Sequence, residues 1–199
     1  TGAQPHESTF RNNYITRVGL DIFDSTAILA TYTNGTIIDH NEVGYVPYSG
    51  ISTGWGWEDE GALVDAECGN AQVTNNLIHN VMKTNRDGGN FYNLGHMTNS
   101  KLAGNYSYNS WDHGDTYENG LYLDMGSAYW EVYDNVVGQN VGYWSHQWTA
   151  SIRENYWHDN FYVEGTKIRN DGTDNVMENN IGVPNGDFSQ YPKAMEIIN

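Results

Sequence analysis

The side chains best suited to chemistry lie on two near-copies of one short pattern. Asp87-Gly88-Gly89-Asn90-Phe91-Tyr92 and Asn119-Gly120-Leu121-Tyr122-Leu123-Asp124 are each a brief apolar run with a carboxylate at one end. Ile28-Leu29-Ala30-Thr31, Ile51-Ser52-Thr53-Gly54 and Tyr143-Trp144-Ser145-His146 align with the apolar runs. If the first residue of each run points inward, the second and fourth point outward, because side chains alternate along a strand. One outer row then holds Ser52, Tyr92, Tyr122 and Trp144, and the next holds Gly54, Leu94, Asp124 and His146. Such a wall of rings, carboxylate and imidazole suits a neutral, sugar-like polymer that stacks on aromatics and donates hydrogen bonds to acids.

Two polar, aromatic stretches flank that wall in the sequence. Residues 54–69 include Trp55, Trp57, Glu58, Asp59 and Glu60, and residues 111–118 include Asp112, His113, Asp115 and Glu118. Loops that leave a rigid repeat on one side are where binding residues gather. A groove walled by these loops is therefore expected, with Trp55 and Trp57 either stacking on a sugar ring or folding back over the repeat. No cofactor is expected; structural calcium between acidic residues such as Glu58 to Glu60 stays open, although the pattern matches no defined calcium loop.

Composition narrows the classes. The chain has 25 acidic against 9 basic residues, a net charge of −16, so its surface repels phosphate backbones and nucleic acid is not an expected partner. Plain solubility is an equal reading of that charge. Apolar residues come in bursts of four or five, far short of the roughly 18 needed to cross a bilayer, so no membrane partner is expected. Cys68 is the single cysteine, which leaves no intrachain disulfide and no cysteine-based zinc site. Neither a Gly-x-Ser-x-Gly elbow nor a Gly-x-x-x-x-Gly-Lys phosphate loop occurs.

The elements that must position the wall are read from a second repeat. Asn13, Asn41, Asn76, Asn105, Asn135, Asn155 and Asn179 each follow an apolar residue by about three positions, at intervals of 28, 35, 29, 30, 20 and 24. Each unit is four to six residues with period-two alternation, bounded by Gly, Asn and Asp, so the units are strands. Strands recurring once per turn make parallel sheets around one core, an all-β solenoid of roughly seven rungs. The asparagines form an internal ladder, their amides bonded to the same residue one rung away. That reading sets aside the sequon at Asn105 and leaves the one at Asn34 open. Residues 1–199 are expected to be one domain, the C-terminal part of a longer repeat or a processed chain, with further rungs or another chain over the N-terminal end. Pro192-Lys193-Ala194-Met195-Glu196-Ile197-Ile198 reads as a short amphipathic helix capping the last rung.

Three stretches carry a resemblance: residues 48–57 (Tyr48-Ser49-Gly50-Ile51-Ser52-Thr53-Gly54-Trp55-Gly56-Trp57), Asp87-Gly88-Gly89, and residues 120–127 (Gly120-Leu121-Tyr122-Leu123-Asp124-Met125-Gly126-Ser127). Together they resemble right-handed parallel β-helix glycoside hydrolases, nearest to the β-helix family of α-L-fucosidases and xylanases and more distantly the β-helix β-xylosidases. The resemblance covers roughly residues 34–140. It implies a right-handed parallel β-helix, a secreted, extracellular or periplasmic protein, and a pair of acids in a groove, falling here on Asp87 and Asp124. Glycosidic cleavage needs one carboxyl to protonate the leaving oxygen and one to attack or to activate water. On this reading Asp124 is the nucleophile and Asp87 the acid/base, with Trp55, Trp57, Tyr92, His113, Glu118, Tyr122, Trp144 and His146 as substrate-binding residues. Two alternatives remain: a non-catalytic carbohydrate-binding or structural module, and a polysaccharide lyase, against which the nine basic residues count.

Overall fold

The computed structural model describes residues 6–56, 68–110 and 118–199, and for Glu118 the backbone alone. Three short strands open it: β1 (Thr9–Arg11), β2 (Tyr14–Thr16) and β3 (Ile28–Thr31). The trio then repeats as β4 (Ile37–Asp39), β5 (Glu42–Gly44) and β6 (Ile51–Gly54), and as β7 (Gln72–Thr74), β8 (Leu77–Val81) and β9 (Gly88–Leu94). Next come β10 (His96–Ala103), β11 (Tyr106–Ser110) and β12 (Glu118–Leu123), then β13 (Ala128–Tyr133), β14 (Val136–Val137) and β15 (Tyr143–Gln147). β16 (Tyr156–His158), β17 (Phe161–Val163) and β18 (Lys167–Asn170) follow, and β19 (Val176–Glu178) and β20 (Ile181–Val183) begin a last turn. The chain then leaves through two 3-10 turns, Pro184–Gly186 and Phe188–Gln190, into helix α1 (Pro192–Ile198).

Every third strand joins the same sheet. Sheet one is β1-β4-β7-β10-β13-β16-β19, sheet two β2-β5-β8-β11-β14-β17-β20, and sheet three β3-β6-β9-β12-β15-β18, with all pairings parallel. The expectation of one right-handed parallel β-helix of roughly seven rungs is corrected by this topology. The chain builds three separate parallel sheets of seven, seven and six strands, and the last turn contributes no strand to sheet three. The asparagine repeat marked only one corner of each turn, so it could not show that a turn holds three strands, or that one turn holds two.

That corner, between sheets one and two, is where the sequence acts most directly. Asn12, His40, Asn75, Asp134, Asp159 and Asn179 have φ between 52° and 58°, and Gly104 has φ 67°. Polar short side chains and glycine tolerate this left-handed bend best. The next residue in each case is a ladder asparagine: Asn13, Asn41, Asn76, Asn105, Asn135, Asn160 and Asn180. The first six each donate through the backbone N and Nδ2 to the Oδ1 one turn on, at 2.8 to 3.2 Å, and Asn180 accepts the last of these bonds. Asn155 and Asn179 are therefore not ladder members. Asn179 is the left-handed residue ahead of Asn180, and Asn155 belongs to a shorter series that accepts from Trp130 N and donates to Asn175 Oδ1. Asn105, in the second sequon, is a buried rung of the main ladder.

The inward column Ile38, Val73, Leu102, Val132 and Trp157 packs against Ile78 from sheet two and Ile51, Phe91 and Leu121 from sheet three. Each such buried side chain contributes about 1.5–3 kcal/mol relative to exposure. Helix α1 does not cap the last turn. It folds back along the outside, where Ala194 and Met195 join Val136, Phe161 and Val183 in a second cluster.

Candidate functional site

The outer face of sheet three carries one continuous column: Leu29, Ser52, Tyr92, Tyr122, His146 and Arg169. Tyr92 meets Tyr122 edge-on at 5.3 Å, and Tyr122 stacks on His146 at 4.5 Å. Tyr143 stacks on His146 at 4.7 Å. His146 therefore lies opposite Tyr122 rather than Asp124, two residues away from the sequence alignment. Trp144 is not on the wall at all. The β15–β18 register slips between Tyr143 and Ser145, and Trp144 sits in the core, stacked on Tyr162 at 4.5 Å.

Asp124 follows the end of β12 and is 6% exposed. Its Oδ2 accepts from the Tyr92 hydroxyl at 2.7 Å, and its Oδ1 accepts from Trp148 Nε1 at 2.6 Å and Met125 N at 2.7 Å. The true register explains Trp148: with Tyr122 opposite His146, the residue two beyond Tyr122 falls opposite the residue two beyond His146.

Asp87 sits just ahead of β9 in a left-handed conformation with φ 60°. Gly88 behind it is required by space, since a Cβ there would lie 2.9 Å from both the Tyr48 ring and Met82 Sδ. The Tyr48 hydroxyl donates to the Asp87 carbonyl at 2.8 Å, tying the bend to the previous turn. Asp87 is exposed as a residue, but its carboxylate is partly buried where it accepts from the Tyr122 hydroxyl at 3.3 Å. Lost hydration among these rings pushes its pKa above the usual carboxylate range, and the charge of Asp124 pushes it further, against the Tyr122 bond.

The phenols answer the same field. Burial and then the two carboxylates raise Tyr48 to about 12 and push Tyr92 and Tyr122 higher still. All three stay protonated donors at any working pH. His146 goes the other way, to about 4, because it is buried and then because Arg169 is near. Neither of its ring nitrogens has a hydrogen-bond partner among the described residues.

Of the sequence candidates, the structure brings Asp87, Asp124, Tyr92, Tyr122 and His146 together, and packs Trp55 against the Tyr92–Leu94–Tyr122 cluster. Trp57 and His113 lie outside the described residues, as do the Glu118 side chain and the acidic run Glu58 to Glu60. Tyr48, Tyr143 and Trp148 were missed; a two-residue shift of the last alignment would have set Trp148 opposite Asp124. Among the described residues no group of three or more His, Cys, Asp or Glu could hold a metal ion. A cavity of about 640 Å³ lies elsewhere, between the asparagine corner and α1, lined by Tyr106, Tyr133 and Lys193.

No protein-family model and no curated protein sequence matches the chain. A solved structure of a protein called "Glycoside hydrolase" is 31% identical to it over 96% of this chain, with a TM-score of 0.69. The chain spans 28% of that protein's length. The fold is thus glycoside hydrolase-like.

Proposed function

We propose that this chain carries the paired-acid wall of a carbohydrate-active protein that hydrolyses a neutral oligosaccharide or polysaccharide outside the cell. The observation that carries the reading is the Tyr122 hydroxyl set between the acids, bonded to Asp87 and acted on by Asp124. Two acids in one site with different environments divide naturally into two roles. Asp87, exposed and with its pKa raised, is the acid that protonates the leaving oxygen; Asp124, oriented by Tyr92, Trp148 and the Met125 amide, is the carboxylate that attacks carbon or activates water. Trp55, partly buried against the enclosed Tyr92 and Tyr122 rings, offers the aromatic surface on which a sugar ring can stack. The similarity to a glycoside hydrolase supports this reading at the coarse level.

The test is a panel of aryl glycosides and plant or algal polysaccharides with the wild type, Asp124→Asn and Asp87→Asn. Hydrolysis by the wild type that falls by at least about a hundredfold in each variant is the expected result. Unchanged turnover in Asp124→Asn removes it from the mechanism. A second reading, a non-catalytic carbohydrate-binding wall, is favoured by the three hydrogen bonds and near-complete burial that hold Asp124 in place. Saccharide binding with no turnover of any glycoside selects it.

A further inference from the structure

The cavity of about 640 Å³ lies at the corner between sheets one and two, on a different part of the surface from the acids of sheet three. Its size is that of a small-molecule or single-sugar pocket. Two small residues in the fourth turn make the room. In the outward column Thr74, Ala103, Tyr133 and His158, Ala103 is the shortest side chain. Gly104 follows it and takes the left-handed bend, φ 67°, that Asn75 and Asp134 take in the turns on either side. A Cβ at Gly104 would stand 2.7 Å from Asn75 Oδ1, so the corner is kept bare there.

Two rings border the gap, one from each sheet. Tyr133 lies parallel to His158, with planes 3° and centroids 5.2 Å apart. One face of the Tyr133 ring is thus taken by His158, and the opposite face is turned toward Ala103 and the cavity. Tyr106 enters from sheet two, half-buried and tilted by 36° on Tyr108.

The polar lining narrows what could sit between the rings. Lys193 Nζ is 3.5 Å from Asp134 Oδ2 and 4.0 Å from Glu196 Oε2, and these three line the cavity with Asn75. One ammonium between two carboxylates leaves a net negative charge, which disfavours a phosphate or a uronic acid. Among the described residues no group of acids, histidines and cysteines could hold a metal ion. Carboxylate, ammonium and amide together supply both acceptors and donors, and the ring faces match the C–H face of a pyranose. A neutral ring bearing several hydroxyls satisfies both sets of groups at once.

We propose that this cavity is a second saccharide site, which seats one neutral pyranose unit of a glycan between Tyr106 and Tyr133 and holds its hydroxyls on Asp134, Asn75 and Lys193. It shares no residue with the acid wall, so it stands whether or not that wall is catalytic. The test is an NMR titration of the isotope-labelled chain with xylohexaose, cellohexaose and laminarihexaose. The amides of Gly104 and Asp134 report on the cavity, and those of Gly88 and Met125 on the wall. At least one hexasaccharide is expected to shift the cavity amides saturably, with a Kd of about 1 mM or tighter. Tyr133→Ala should weaken this about tenfold through loss of a ring contact, and Tyr133→Phe, which keeps the ring, should retain most of it. Ala103→Leu fills the space and should abolish the shifts, with wall amides at their wild-type positions showing that the variant folds. Asp124→Asn, which tests the wall, should leave the cavity shifts unchanged, so the two readings fail separately. Cavity amides that none of the three hexasaccharides moves overturn the proposal. So do shifts that persist undiminished in Tyr133→Ala or in a folded Ala103→Leu.

Discussion

His146 makes stability depend on pH with a sign and size the structure dictates. It is 1% exposed, stacked on Tyr122 and Tyr143, and neither ring nitrogen has a hydrogen-bond partner among the described residues. Its pKa falls from the ordinary 6.5 to about 4. The unfolded chain takes up a proton near pH 6.5, the folded chain only near pH 4. Between those values acid favours unfolding, so the contribution is full above about pH 6.5 and is lost progressively down to about pH 4. At about 1.4 kcal/mol per pH unit, the loss amounts to roughly 3 kcal/mol. Replacing His146 with Phe keeps a flat ring in the stack and removes the titration. Urea unfolding of wild type and His146→Phe at pH 7, 6, 5 and 4 separates this group from every other carboxylate and histidine, since only the difference between the two curves is read. The wild type should lose roughly 3 kcal/mol more than the variant across that range. Parallel pH dependences would refute the reasoning, because they would mean that His146 is protonated in the folded wall as readily as in the unfolded chain.

The other predictions test the ladder and the acid site. Asn105→Ala strips the Asn76 amide and Nδ2 and the Val73 carbonyl of their partner, and at about 1–3 kcal/mol per buried unsatisfied group it should cost several kcal/mol in denaturant melts. Asn13→Ala, at an exposed position, should cost less than about 1 kcal/mol in the same assay. Gly88→Ala forces a methyl to within 2.9 Å of the Tyr48 ring; a loss of about 1–3 kcal/mol in melts is expected, together with loss of whatever turnover depends on Asp87. Tyr92→Phe removes the 2.7 Å bond to Asp124, and if Asp124 reacts, kcat should fall about tenfold or more while KM changes little. Asp39 has its pKa drawn down to about 2: burial opposes ionisation, but bonds from His40, Thr74 and Asn75 outweigh it. Its contribution should be present above about pH 4 and lost as pH falls through 2, so Asp39→Asn should destabilise by up to about 2 kcal/mol at pH 7, less solvent screening, and by little near pH 2.

The repeat could be read from the sequence because the ladder asparagine is chemically obligatory once per turn. Its side chain fills both a donor and an acceptor role that no other residue at that corner fills from one position. The reading slipped where the turns shorten: ladder spacings of 28, 35, 29 and 30 residues give way to 25 and 20. There Asn155 and Asn179 offered themselves as near-copies of a rung. Type alone cannot separate a ladder asparagine from one that only supplies the left-handed bend, as Asn179 does.

The wall was legible for a related reason and failed for a related one. Period-two alternation put Tyr92 and Tyr122 on one face, and Asp124 beyond them, because β9 and β12 pair without a slip from Gly88 to Asn93. Alternation cannot foresee a bulge, and the one in β15 sends Trp144 inward. The register error then hid Trp148, whose indole fixes Asp124. Tyr48 was out of reach altogether: it lies outside any strand, and only the third dimension brings its hydroxyl to the Asp87 carbonyl 39 residues on. What anchors each acid is therefore an aromatic from the neighbouring turn, Tyr48 for Asp87 and Trp148 for Asp124. If the pair is catalytic, its geometry is set by the spacing between turns rather than by the strands that bear the acids, and loosening either neighbour should cost activity before it costs the fold.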